Sequence, residues 1–379
     1  MAAGEVYATL VLKVRITIEL QDFNRLDLSY ILKVAPDKEE LAEIYQNFFN
    51  TETAVYNQVI PELEEMYRQV GLNIQFAPKT FQLGPEVPSL NILLEDLNIR
   101  NFKHVNRLEG LDLEHIQAVL RKLAQFHAAS AFRVIKKGSY DKKVTPDMDN
   151  HYPRYILNQM VDSFTQPFLK NLTYCKNGGK YKDVMKNFMF HAVEKIIRAR
   201  KPHPYYFNAL NHGDCWSNNI LFKYSDDGKV EDLLFIDFQN TNYGSPAQDI
   251  FYFIITSTNI NIKISKFEYL IYYYHQQLEE HLWILKHPLE QIPSLRELHQ
   301  QLIVYGFWAT ITSSITMGVA LMDPLQNAIF YADNQKLSSD HKNAMYSNPL
   351  YIQHMNTLLP WLASRGYMET DEFVYTSTS

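Results

Sequence analysis

The sequence predicts an α+β chain of two lobes, a small β-rich N-lobe over residues 1–97 and a large helical C-lobe over residues 98–379. Three observations carry this. Leu10, Leu12, Val14, Ile16, Ile18 and Leu20 alternate with Lys13, Arg15, Thr17 and Glu19, the period of two expected of a half-buried strand. After Asp112 the apolar residues instead return every three or four positions in one segment after another, the period of helices packed on a core. Within that helical half, two short apolar runs, Asn219-Ile220-Leu221-Phe222 and Leu233-Leu234-Phe235-Ile236, flank the turn signal Ser225-Asp226-Asp227-Gly228 and read as one β-hairpin.

Taken in order, the opening strand is followed by an Asp22-Phe23-Asn24 turn and a second strand, Ser29-Tyr30-Ile31-Leu32-Lys33-Val34. Lys33 stands in an otherwise apolar run. Either it blunts an exposed sheet edge or it serves a site. The spacing of Leu41, Ile44, Tyr45, Phe48, Phe49, Val55 and Tyr56 predicts a helix over residues 38–59, and Glu52 falls on the same stripe. A carboxylate on a buried face is costly unless paired, and Lys33 is the nearest plausible cation. The competing reading leaves Glu52 solvated at the margin of the stripe. Residues 74–81 and 90–95 predict a further strand pair, the second running into Glu95, Asp96 and Leu97.

Asp112 is a good N-cap for a helix to about Ala131, on which His127 reads as a satisfied core histidine rather than a ligand. Further helices are expected over residues 155–170, 181–200, 248–257, 263–285, 294–321 and 350–364. Pro202-His203-Pro204 breaks the chain before the hairpin region, and the tail from Thr370 is expected to be disordered.

The most informative passage is His212-Gly213-Asp214-Cys215-Trp216-Ser217-Asn218-Asn219, with Ile236-Asp237-Phe238-Gln239 after it. Asn219 starts one hairpin strand and Asp237 ends its partner, so both side chains fall at the open end, where Asp214 can face them. Two carboxylates and a carboxamide around one space suit phosphoryl transfer from a nucleotide. Two oxygen ligands hold Mg²⁺, which keeps several of its waters, while the remaining carboxylate takes a proton from the incoming hydroxyl. Each residue alone is also a common turn former. A strand lysine paired to a helix glutamate is likewise the device that aims a lysine at nucleotide phosphates.

Composition narrows the class. A chain of 379 residues that is 46% hydrophobic can bury a core large enough for two lobes. Its net charge of −6 argues against a nucleic-acid partner, which needs a concentrated basic surface. The two cysteines, Cys175 and Cys215, provide no disulfide framework and suit a reducing, cytoplasmic setting. Cys215 reads as a packing residue despite its place in the motif. Neither a signal peptide nor a spanning segment is visible, and no protein partner is implied.

His212-Gly213-Asp214 with Asn219, then Ile236-Asp237-Phe238-Gln239 and Gly244-Ser245-Pro246-Ala247-Gln248-Asp249, resembles the choline kinase and aminoglycoside phosphotransferase superfamily. Within it, the Asp-Phe-Gln variant and trailing Asp249 resemble the ecdysteroid kinase-like (CHK kinase-like) group. The resemblance implies a bilobed, protein-kinase-like fold that uses ATP and Mg²⁺. It implies Asp214 as catalytic base, Asn219 and Asp237 as Mg²⁺ ligands, and His212 and Asp249 as supports of the catalytic loop. Lys33 and Glu52 match its phosphate-orienting pair. Glu95 and Leu97 match its hinge, where the backbone C=O of Glu95 and N–H of Leu97 would meet adenine.

Gly4-Glu5-Val6-Tyr7-Ala8-Thr9 resembles the family's phosphate-covering loop with Val6 in place of Asn, and the N-lobe reads as short at its N-terminus. Aromatic clusters at residues 205–207, 251–253 and 272–274 would supply core and part of an apolar acceptor pocket. They suit a hydroxylated, lipid-like alcohol such as a steroid better than a polycation. The expectation is an ATP- and Mg²⁺-dependent phosphotransferase acting on the alcohol of a small molecule, plausibly an ecdysteroid or a xenobiotic. The alternative is a catalytically impaired binding protein of the same fold, and a protein kinase ranks third because little chain is left for a peptide platform after Asp237.

Overall fold

The computed structural model of the protein describes residues 10–21, 25–35, 42–84, 90–147, 153–323 and 339–370. The predicted Gly4–Thr9 loop, the residues of the Asp22–Asn24 turn, the start of the first helix before Ala42 and the tail beyond Thr370 lie outside them.

Strands β1 (Leu10–Glu19) and β2 (Arg25–Val34) pair antiparallel over their full length, and β3 (Thr80–Phe81) and β4 (Asn91–Glu95) complete a sheet of order β1-β2-β4-β3. Lys33 therefore lies on an interior strand, between Val11 of β1 and Ile92 of β4, so an edge-blunting role is excluded. The alternation in β1 separates the faces as expected, but not the burial. Its even-numbered residues Leu10, Leu12, Ile16 and Ile18 are exposed, as are the odd-numbered Lys13, Arg15, Thr17 and Glu19, and within the strand only Val11 and Val14 are half-buried.

The first helix runs further than its spacing suggested. Helix α1 (Ala42–Ala54) passes through a wide π-type turn, Val55–Val59, into α2 (Ile60–Arg68). Pro61 near the start of α2 has no N–H to close a regular turn, and the widened turn ahead of it absorbs the missing bond, so the chain continues where a stop was expected. The strand expected from residue 74 is reduced to Thr80–Phe81, since Pro78 cannot donate to a ladder.

Helix α3 (Leu113–Lys137) is capped by Asp112, whose carboxylate accepts from His115 N–H at 3.0 Å, and it ends at Gly138 with φ +78°. It is followed by α4 (Arg154–Asn171) and α5 (Lys182–Ala199). Next come β5 (Ala209–Asn211), the hairpin β6 (Ile220–Tyr224) and β7 (Val230–Phe235), and β8 (Asn242–Gly244), which pairs with β5.

Then come α6 (Ala247–Ser257), α7 (Phe267–Ile284), which packs on α3, and α8 (Leu295–Val304) with a full Ser294/Glu297 capping box. The single helix expected over 294–321 is broken after Val304. A Cβ on Gly306 would stand 2.1 Å from the Tyr367 ring, and the Ser/Thr run beyond it bonds back onto its own turn, as Ser313 and Ser314 do to Thr310 O. Short helical pieces cover Phe307–Ala320, and the chain closes with Ser339–Ser347 and α9 (Pro349–Ser364). Among the described residues no single helix is long and apolar enough to cross a membrane.

Candidate active site

Three segments converge where the sheet meets the hairpin: the loop before β6, the end of β7 and the lysine of β2. Hydrogen bonding closes the hairpin's open end, with Ile236 N–H donating to Asn219 O at 3.0 Å, so Asn219 and Asp237 stand side by side as the spacing predicts. Asn219 ends a tight turn, Ser217–Asn219, and Asp237 has φ +70°, a left-handed conformation that a short acidic side chain tolerates and that often marks functional strain. Its N–H donates to the Tyr56 hydroxyl at 3.3 Å.

Lys33 is buried and its Nζ lies 2.6 Å from Glu52 Oε2 and 2.6 Å from Asp237 Oδ1. Glu52 is 1% exposed, which rules out its solvated reading. Burial works to lower the Lys33 pKa, but the Asp237 and Glu52 carboxylates override it and raise it. Burial, opposed by Lys33 and reinforced by Asp237, lifts the Glu52 carboxyl to about 7. A buried ion pair is at best neutral for stability against an apolar pair of equal volume, so an account of this one must look to the site it faces.

Asp214 lies opposite. Both its carboxylate oxygens are held: Asn219 Nδ2 donates to Oδ2 at 3.0 Å, and the Tyr252 hydroxyl of α6 donates to Oδ1. Burial, with the neighbouring Asp237 charge, pushes the Asp214 carboxyl up to about 7. The loop that carries it is fixed from beneath by Asp249, fully buried in the first turn of α6, which accepts from His212 N–H at 2.6 Å and Gly213 N–H at 2.9 Å. His127 completes this support. Its ring nitrogens lie 2.7 Å from the Tyr274 hydroxyl and 3.2 Å from Asp249, so it is the satisfied core histidine expected, now with a second role.

His212 is locked as the neutral ring: its Nε2 donates to Ile236 O at 3.0 Å and its Nδ1 accepts from Asp214 N–H at 3.3 Å, while burial lowers its pKa. Gly213 (φ +79°) has no room for a side chain, since a Cβ would lie 2.1 Å from Asn240 O. Cys215 is fully buried and burial pushes its thiol well up, which suits packing rather than nucleophilic work.

Glu95 and Leu97 are brought to the same region as different kinds of group. The Glu95 side chain turns to Arg100, at 3.3 Å, and to Lys79 N–H, and its own N–H donates to Lys79 O at 2.9 Å, which leaves its backbone C=O for a ligand. Leu97 is buried in a small apolar cluster with Phe102, Leu221 and Leu234, against which Ile236 packs, a floor running from the sheet's end toward Asp237. Asp96, read only as a strand end, caps the following turn through Asn98 N–H and binds Ser29 and Lys13.

Tyr252 was seen in the sequence only as one of an aromatic cluster. The signal that could have singled it out is the polar set Asp249, Tyr252, Thr256 and Ser257, at helical spacing in an otherwise apolar helix. Its neighbours Phe251 and Phe253 are fully buried core, whereas Tyr205 is 87% exposed.

The donor set is hard oxygen throughout, with Asp237 and the Asn219 carbonyl beside Asp214, and the mutual repulsion of two close carboxylates is what a small divalent cation relieves. These residues fit Mg²⁺. A cavity of about 880 Å³, lined by Glu64, Arg68, Gln75 and Lys122 among others, has none of the three in its lining.

The profile of the ecdysteroid kinase-like family matches residues 3–287. No curated protein matches the chain. Among solved structures it has faint likenesses. An ethanolamine kinase of Plasmodium vivax is 12% identical, covering 91% of this chain and 84% of that one, with a TM-score of 0.42. A choline kinase of Cryptosporidium parvum Iowa II is 12% identical, covering 94% and 91%, with a TM-score of 0.42. A macrolide 2'-phosphotransferase of Brachybacterium faecium is 10% identical, covering 88% and 92%, with a TM-score of 0.34.

Proposed function

Because the chain belongs to the ecdysteroid kinase-like family, we propose that it is an ATP- and Mg²⁺-dependent phosphotransferase whose acceptor is the alcohol group of a small molecule, an ecdysteroid or a hydroxylated xenobiotic. The observation that carries the reading is the convergence of Lys33, Glu52 and Asp237 on one side with Asp214 and Asn219 on the other. A merely inherited fold has no need to keep a buried lysine between two carboxylates, so this arrangement favours an enzyme over a binding protein.

In this mechanism residues 1–97 and 98–379 act as two lobes around the nucleotide. The apolar floor of Leu97, Leu221 and Ile236 receives the adenine, with the backbone of Glu95 and Leu97 giving its polar contacts. Lys33, aimed by Glu52, neutralises phosphate charge. Asp214 accepts the proton of the acceptor hydroxyl, and a pKa near 7 matches it to that task at neutral pH. Asn219 and Asp237 would hold Mg²⁺, which when bound neutralises charge on the phosphates. Asp249 and His212 keep the loop of Asp214 in place. A cytoplasmic site of action, where ATP is available and Cys175 and Cys215 stay reduced, belongs to the same reading.

The test is an ATP-consumption screen with Mg²⁺ against a panel of ecdysteroids, other hydroxylated steroids and plant alcohols. At least one acceptor should stimulate consumption well above the rate without acceptor. Folded protein that consumes no ATP with any of them contradicts the proposal.

A further inference from the structure

Helix α6 touches the catalytic loop at three points in succession. Asp249 accepts from the His212 and Gly213 amides, the Tyr252 hydroxyl donates to Asp214 Oδ1, and Ser257 Oγ accepts from Ser217 N–H at 2.9 Å. These residues are three and five positions apart on one helix, so a single element contacts the loop at His212 and Gly213, at Asp214 and at Ser217. The helix is anchored at both ends. Asp249 is bonded to His127 of α3, and at the far end the buried Lys263 Nζ donates to Ile255 O.

The three contacts differ in kind. Asp249 and Ser257 hold backbone and so define where the loop runs. Tyr252 alone reaches the reacting carboxylate, and with Asn219 on the other oxygen it fixes the rotation of that group about its own axis. We propose that Tyr252 is the positioning residue of the catalytic base: its hydroxyl holds the Asp214 carboxylate in the plane from which it meets the acceptor hydroxyl. It is not itself the base. Orientation of a reacting group to within a small angle is worth orders of magnitude in rate, while nucleotide binding does not depend on it. The inference rests on the phosphotransferase reading above.

Tyr252→Phe removes the one oxygen and keeps the ring, so packing against the core is unchanged. Wild type and variant are compared with Mg-ATP and whichever steroid or plant alcohol of the panel turns over fastest. The variant should lose about tenfold or more in kcat with KM for Mg-ATP unchanged and only the small fall in thermal midpoint that one lost hydrogen bond causes, a split that a merely structural residue does not produce. Equal kcat overturns the inference. So does a joint fall in kcat, nucleotide affinity and thermal midpoint, which would make Tyr252 a packing residue. A wild type without turnover defeats the phosphotransferase reading and this inference with it, whereas an active wild type matched by an equally active variant defeats this inference alone.

Discussion

Asp214 carries a proton more tightly in the folded chain than an exposed carboxylate does, because burial and the Asp237 charge hold its pKa near 7. Between the ordinary carboxylate range and about 7 the native state therefore binds more protons than the unfolded one. Stability contributed at this residue is present at the acid end of that window and is lost as pH rises through 7. Asp214→Asn removes the cost. Without metal or nucleotide, its thermal midpoint relative to wild type should rise by about 2–4 °C between pH 5 and pH 8, a stability gained at the expense of function. Its turnover should fall by ~10²-fold or more. A midpoint difference that does not change between the two pH values would contradict the burial account of this carboxyl.

Several residues were legible because they violate local expectation: a lysine in an apolar strand, a glutamate on an apolar helix face, and acids flanking a turn. Lys33, Glu52, Asp214, Asn219 and Asp237 meet in space for that reason. The Tyr252 contact was hidden because tyrosine is at home in an apolar helix, and only its partner distinguishes it from Phe251 or Phe253.

At the scale of elements, α6 and the catalytic loop behave as one unit joined by Asp249. Asp249→Asn keeps the size but replaces a charged acceptor of two amide hydrogens with a neutral group that offers a single acceptor oxygen. Urea denaturation should show a loss of about 1–3 kcal/mol, with reduced turnover, since a buried amide then lacks its partner. An unchanged midpoint would mean that Asp249 is not what holds the loop. Helix periods located most elements, but the joints between them escaped. The helix expected to end at Val59 instead widens into a π-type turn and continues, and Gly306, beside the break after Val304, packs against the Tyr367 ring from far along the sequence, which no local pattern reports. The exposure of β1 on both faces escaped for a related reason: alternation tells which residues share a face, and only a packing partner tells whether that face is covered.

The molecule as a whole places a small antiparallel sheet, with Lys33 on an interior strand, against a helical body that contributes the hairpin and the loop of Asp214. This division followed from the change of hydrophobic period along the chain. The site lies where both parts contribute, and Lys33 to Asp237 is its shortest bridge across 204 positions of sequence. On the proposed function this bridge receives a metal-bound nucleotide. The direct measurement is calorimetric titration of the protein with ATP, with and without Mg²⁺, on wild type and Asp237→Ala. Wild type should bind Mg-ATP at submillimolar concentration with an affinity that falls when Mg²⁺ is withheld, and Asp237→Ala should lose that metal-dependent part. Absence of binding heat at millimolar nucleotide, or binding indifferent to both Mg²⁺ and Asp237, would contradict it.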